Sequence, residues 1–252
     1  MSAPSDTLNC LLCPEDVDAA SLDATLAVVA STLAIPPLEY RIDDTGGIHR
    51  IAGPGSWLIE RIDAGEPALL CNGDEQQLVS IDISILQPRY VPRNGRLAEV
   101  WLRIPNRPEL AKHAYPLIRL LGPAVRAYWG HISPVGVGGE ILRRYAALSS
   151  TALPPGALVI GILTHVPHPA IPALIGWVNY WSAETCQLVD FSPTAPQSRV
   201  FQHVVACEGG GVALQLTAAP LDLENPEHIA ALEAAYDAFP AIHRAAGSHV
   251  TT

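Results

Sequence analysis

Apolar positions change their spacing from segment to segment along the chain, and the spacing predicts the elements. "LNCLLC" (8–13) is a short apolar run ended by Pro14 and reads as a strand. In "SLDATLAVVASTL", Leu22, Leu26, Val29 and Leu33 recur at intervals of 4, 3 and 4, one stripe on a helix, and Pro36–Pro37 stop it. "LEYRI" (38–42) reads as a strand closed by "DDTGG". Across 67–86, an apolar run, an Asn72-Gly73 turn and alternation through Val79, Ile81, Ile83 and Ile85 predict a hairpin, and "RLAEVWLRI" (96–104) continues the sheet.

Asn106 is placed to cap the next helix, with Pro108 in its first turn. Leu110, Leu117, Leu120 and Leu121 supply that helix's core face, and Pro116 bends it. "AYWGHISPVG" leads into a helical stretch at 139–148, and a proline-rich crossover spans 153–173. "ALIGWVNYW" (173–181) reads as a strand, with Ser182 capping the helix that begins "AETCQLV". A second hairpin over 199–217 turns at Gly209–Gly211. Asn225 caps a final helix with Pro226 at its first position, and Ile229, Leu232, Tyr236 and Phe239 form its inner stripe. Strands followed by helices, with hairpins between them, indicate an α+β fold of mixed, mainly antiparallel sheets with flanking helices. The length of 252 residues fits a single domain; two halves of similar style, 1–150 and 151–252, are the alternative division.

Composition narrows the function. Charged residues are only 16% of the chain, against about 25% in an average soluble protein. Acids outnumber bases 25 to 15, and Lys112 is the single lysine. A net charge of −10 argues against nucleic acid as a partner, since phosphate contact needs a basic footprint. The same balance suits a basic protein partner. Between Arg144 and Glu184 there is no charged residue, yet five prolines leave "GALVIGILTHV" as the longest uninterrupted apolar piece, short of the roughly 20 residues a membrane helix needs. The odd number of cysteines, five, and an N-terminus without the layout of a secretory signal indicate reduced thiols in the cytoplasm.

Candidate chemistry is thin. "CLLC" has the spacing of a redox pair, but Cys10 and Cys13 fall inside a strand, where positions three apart face opposite ways. Joining them to His165 and His168 on zinc has no support in the spacing. "GVGGE" (136–140) lacks the rest of a phosphate loop and reads as a turn. Arg89, Arg93 and Arg96 concentrate in one loop that suits either an anionic ligand or a solvated hairpin. Cys71, after a strand and before a turn, is the least implausible nucleophile, with Asp74 near it and His131 or His203 as a distant base. No catalytic set, cofactor site or metal site is read from the chain. Trp129, Trp177 and Trp181 read as scaffold; Asn179, between two of them on one strand face, would need hydrogen-bond partners if buried.

Charge distribution says more. No Lys or Arg occurs between Arg199 and Arg244, while Glu208, Asp222, Glu224, Glu227, Glu233 and Asp237 all fall there. Acids at the helix N-terminus suit the helix dipole, so the same pattern fits a solvated, well-capped helix or a surface that docks a cationic protein.

The order "ALLCNGDE", "AYWGHISPVG", "IGWVNYWSAET" and "LQLTAAPLDLENPEHIAALEAAYDAFPAI" resembles an uncharacterised bacterial family of about this length, similar in turn to the immunity-protein-52 type of polymorphic toxin systems. The resemblance covers Ala68 to Ile242 and is strongest over Gly176 to Ser182 and Leu216 to Phe239. It implies an α+β, cytoplasmic, non-enzymatic immunity protein that binds and neutralises a cognate toxin of nuclease type, and it carries over no functional residues. On this reading Asp222, Glu224, Glu227, Glu233 and Asp237 are the partner-binding candidates. A small enzyme built around Cys71 and Asp74, or a module that pairs with itself as a homodimer, are the competing readings.

Overall fold

The computed structural model describes residues 6–14, 16–43, 45–85, 98–141 and 168–242. Along the first half run β1 (Thr7–Pro14), α1 (Ala19–Leu33), β2 (Tyr40–Ile42), β3 (Ile48–Arg50), α2 (Pro54–Asp63), β4 (Ala68–Cys71), β5 (Ser80–Ile85) and β6 (Ala98–Pro105). There follow α3 (Pro108–Ala111), α4 (Ala114–Ala124), β7 (Ala127–Pro134), β8 (Val178–Trp181) and α5 (Ala183–Leu188). A 3-10 turn (Pro196–Val200), β9 (His203–Ala206), β10 (Val212–Gln215) and α6 (Pro226–Ala238) complete it.

The strands form one ten-stranded sheet in the order β3-β2-β4-β5-β6-β1-β7-β8-β10-β9. Every pairing among them is antiparallel. The fold is α+β. β7 and β8, on either side of residue 150, pair through Trp129 with Trp181 and His131 with Asn179, so one sheet runs through both halves of the chain. At its centre, β1 pairs with β6 on one side and β7 on the other. Burial on both faces explains why "LNCLLC" is apolar but for Asn9 and does not alternate: Leu8, Cys10, Leu12 and Cys13 are fully buried.

One face of the sheet carries Cys10, Leu12, Ile81, Ile83, Leu102, Ile104, Ile132 and Tyr180, as the registers require. α4 lies on this face against β7, β8 and β10, and α2 lies against β4 and β5. α1 packs on both helices and buries Leu22, Thr25, Leu26, Val29 and Leu33, the predicted stripe with Thr25 added. Its start is fixed by Asp18, whose side chain accepts from the Ser21 N–H at 2.7 Å while Ser21 Oγ accepts from the Asp18 N–H. Its end is Ala34 in the left-handed region.

Several boundaries differ from expectation. The cap before Pro108 is Arg107, without a side-chain bond, rather than Asn106. The predicted helix is two pieces, and the break falls at Lys112–His113; Pro116 sits in the first turn of α4, where its missing N–H costs nothing. Leu120 is 49% exposed, and Ile118 takes its place in the core. The first hairpin closes through a broad loop, where Asn72 Oδ1 accepts from the Val79 N–H at 3.1 Å and its amide donates to Gln77 O at 3.0 Å. "AYWGHISP" is itself a strand, with helical residues from 137. "ALIGWVNYW" forms a strand only from Val178, because the Gly176 and Trp177 N–H groups go to the Asn179 and Ser133 side chains, while Trp177 O still accepts from the Leu216 N–H at 2.9 Å.

α4 approaches the sheet closely at Gly122, where a Cβ would overlap the Tyr180 ring. Gly122→Ala is therefore expected to lower stability by about 1–3 kcal/mol, although Ala is the better helix former by about 1 kcal/mol. Chemical denaturation checks this, and an unchanged or raised midpoint would show that the ring can move aside.

Candidate partner-binding surface

α6 begins where the sequence places it. Asn225 Oδ1 accepts from the Glu227 N–H at 3.0 Å, and Pro226 opens the helix. Just before it, Asp222 Oδ1 accepts from the Glu224 N–H at 2.9 Å and the Asp222 N–H donates to His228 Nδ1 at 3.0 Å, which holds the approach to the helix in a fixed turn. Leu232, Ala235 and Tyr236 are buried, with Phe239 just beyond the helix end, while Ile229 is only half-buried. At about 100° per residue, Glu227, Glu233 and Asp237 occupy the arc away from that stripe. All five predicted acids, Asp222, Glu224, Glu227, Glu233 and Asp237, are exposed. Among the described residues none of them forms an ion pair.

An aromatic cluster fixes this helix to the sheet. The Trp181 ring meets Phe191, Phe201 and Phe239 edge-on at 5.3, 5.6 and 5.1 Å between centroids, and Phe201 stacks on Phe239 at 5.8 Å. Tyr236 Oη accepts from the Ile175 N–H at 3.0 Å. Trp177 Nε1 donates to Thr217 O at 2.8 Å and Trp129 Nε1 to Pro169 O at 2.9 Å, so these two buried indoles carry no unmet donor. Asn179 is wholly buried and satisfied: Oδ1 accepts from the Gly176 N–H at 2.7 Å and Nδ2 donates to Gly176 O at 3.0 Å. Ser182 accepts from the Thr185 N–H at 3.1 Å, as its capping position predicts. These aromatic residues hold the frame on which the acidic face is displayed.

The other candidates are dispersed. Cys71 is fully buried on β4, opposite Tyr40 and Ser80. It lies four strands from His131, which is about 19 Å at roughly 4.8 Å per strand, and seven strands from His203 on β9. Asp74 Oδ1 accepts from the N–H groups of Gln76 and Gln77 at 2.9 and 3.2 Å, a turn-forming role. Cys10 and Cys13 point to opposite faces of β1, and burial pushes both thiols far above their ordinary range. The two cannot ligate one ion together, and His165 lies outside the described residues. His168 instead faces Glu184 at 3.7 Å. Arg89, Arg93 and Arg96 also lie outside the described residues. Gly136 turns with φ +88°, and the rest of "GVGGE" enters the helical residues 137–141.

Two features escape a sequence reading. On the face away from α4, Asn9 Oδ1, Glu99 Oε1 and His131 Nδ1 are buried without a hydrogen-bond partner among the described residues, on the adjacent strands β1, β6 and β7. Burial lowers the His131 pKa to about 4 and raises that of Glu99. Gly176 makes room for the imidazole, since a Cβ there would come within 2.8 Å of His131 Cβ. The second feature is a cleft of about 430 Å³ lined by Lys112, Tyr115, Trp177 and Gln215. Tyr115 and Gln215 already donate to the carbonyls of Ala213 and Thr217, at 3.3 and 2.9 Å. Only the register and the packing bring these residues together; no local signal marks them.

Fold and surface define a class: an α+β protein with one antiparallel sheet, three helices on one face and an acidic, aromatic-anchored helix on the other. The chain belongs to the family described as a domain of unknown function (DUF5953), which matches residues 21–246. No curated protein matches it. Among solved structures, the T6SS protein PA0821 of Pseudomonas aeruginosa has a similar fold, with a TM-score of 0.57 and 14% identity over 95% of this chain and 74% of that one. No helix among the described residues is long and apolar enough to cross a membrane.

His131 generates a pH prediction. Its folded pKa of about 4 lies below the ordinary 6.5, so the unfolded chain binds the extra proton and stability falls as pH drops from 6.5 toward 4. The loss reaches about 2 kcal/mol by pH 5 and roughly 3 kcal/mol below pH 4. Denaturant midpoints of the wild type and His131→Leu at pH 7.5 and 5 check it: the variant should lose less stability on acidification. Equal losses would show that the imidazole is not the sensitive group.

Proposed function

We propose that this protein is a non-enzymatic immunity protein that binds and neutralises a cognate toxin, a basic, nuclease-like protein, through the exposed acidic face of α6. The carrying observation is the set of five exposed acids at 222–237, three on α6 and two in the turn before it, with the helix anchored to Trp181 through Phe239, in a stretch without Lys or Arg from Arg199 to Arg244. Carboxylates presented on a rigid element lose little conformational entropy on binding, and their field accelerates encounter with a cationic surface. A fold shared with a T6SS protein supports a role connected with a secretion system. The dispersal of Cys71, Asp74 and the histidines weighs against the competing enzyme reading.

The test is co-expression with the toxin encoded beside this chain. Growth rescue and a co-eluting complex are expected, weakening as salt rises from about 0.05 to 0.5 M, where the Debye length falls several-fold. The double variant Glu233→Lys, Asp237→Lys, which leaves the first turn of the helix untouched, should bind at least about tenfold more weakly with an unchanged melting temperature. No rescue and no complex with the wild type would overturn the proposal.

A further inference from the structure

The two ends of the sheet are built differently. At one end β3 is three residues long, and its flanks are charged: His49 pairs with Asp43 at 2.7 Å and Arg50 with Glu39 at 2.9 Å. Such an edge resists further strand pairing. At the other end β9 reads "HVVA", with no acid, no Lys or Arg and no proline, and His203, Val205 and Ala206 are exposed. Among the described residues β9 pairs only with β10.

The register shows which groups are available. Cys207 donates to Gly211 O at 2.8 Å, and β9 pairs with β10 in continuous register from Ala206–Val212 to His203–Gln215. Alternation along an antiparallel ladder then turns the N–H and C=O of His203 and Val205 toward β10, and those of Val204 and Ala206 outward. An extended segment laid along β9 would find two donors and two acceptors in line, beside the exposed Val205 side chain.

Charge selects the occupant. Glu208 follows β9 directly, and Phe201, two residues before β9, stacks on Phe239 at the end of α6, which brings the acidic helix to the same end of the sheet. Arg199, Arg119, whose charge reaches Cys207, and Lys112, which lines the cleft beside Gln215, are the bases in this region, against Glu208 and the five acids of 222–237. A second copy of this chain, itself at −10, would bring those acids against their own equivalents. We infer that β9 is a strand-addition site, which takes an extended segment of the cationic toxin into the sheet while the α6 carboxylates engage its basic surface. This deepens the immunity reading and rests on it.

The experiment uses the full chain, the toxin domain encoded beside it as probe, and two substitutions. Ala206→Pro removes an outward N–H and leaves the bonds to β10 in place, and proline is tolerated at such edge positions. Ala206→Thr keeps the N–H and favours a strand. Amide exchange of the wild type by NMR, free and bound, should slow at least tenfold at Val204 and Ala206 on binding. Ala206→Pro should weaken the complex at least tenfold, with Ala206→Thr within twofold of the wild type. Unchanged exchange at both amides, or Ala206→Pro binding within twofold, overturns strand addition; if the α6 charge reversal still disrupts that complex, the immunity reading stands. Absence of any complex with the wild type overturns both. A dimer of the free chain that Ala206→Pro dissolves would assign the edge to a second copy and overturn the cationic occupant.

Discussion

Burial of β1 on both faces and both edges is the constraint on which the rest of this structure depends. Its backbone groups are taken up by β6 and β7, and its side chains meet the core above and below the sheet. Between Leu8 and Cys13 such a strand is apolar at every position but one, since a polar group there needs a partner that neither water nor a free edge can supply, and Asn9, whose Oδ1 has none among the described residues, is the exception. It also couples distant parts of the chain, because residues 7–14 are held by residues 98–105 and 127–134. The cysteines of β1 are consequently packing residues, and the thiolate form that redox or metal chemistry requires is disfavoured by the same burial.

The two faces of the sheet then divide the work. α1, α2 and α4 cover one face with aliphatic contacts, and the close approach at Gly122 sets the spacing there. The other face is more polar and more aromatic. Around β8 and β10, Trp181 and three phenylalanines form an edge-to-face cluster that anchors the end of α6, a helix whose outer arc is carboxylate, to the sheet. Toward β1, β6 and β7, the same face buries Glu99, His131 and the side-chain oxygen of Asn9, so protonation of His131 is felt there. The proposed partner surface lies on the well-satisfied aromatic side of this division, next to the only sheet edge among the described strands that lacks charged flanks on its own strand.

Much of the architecture was legible before the structure. Spacing identified α1, β4, β5, β6 and α6, and the caps at Ser182 and Asn225 were found where short polar side chains precede a helical stripe, because capping is local chemistry. The errors were also local in kind. Asn106 lost the cap to Arg107, Leu120 faces solvent, and only the last four residues of "ALIGWVNYW" form the strand, since the N–H groups of Gly176 and Trp177 go to a local bond with Asn179 and a tertiary one with Ser133. Acidic residues at 222–237 were visible as a run without bases, and amphipathic spacing already put two of them opposite the apolar stripe.

By itself, the amino-acid order determined most of the helices and strands, though not α2, β3 or β7, that the chain is α+β, and that its C-terminal helix is acidic, since periodicity, turn residues and charge are all properties of neighbours in sequence. Only the tertiary structure decided that ten strands join into one antiparallel sheet, that β1 is its centre and β9 its open end, and that Cys71 and His131 lie about 19 Å apart. Strand order depends on pairings between residues tens to more than a hundred positions apart, and those pairings are chosen by which faces must be buried together. No short stretch of sequence carries that information.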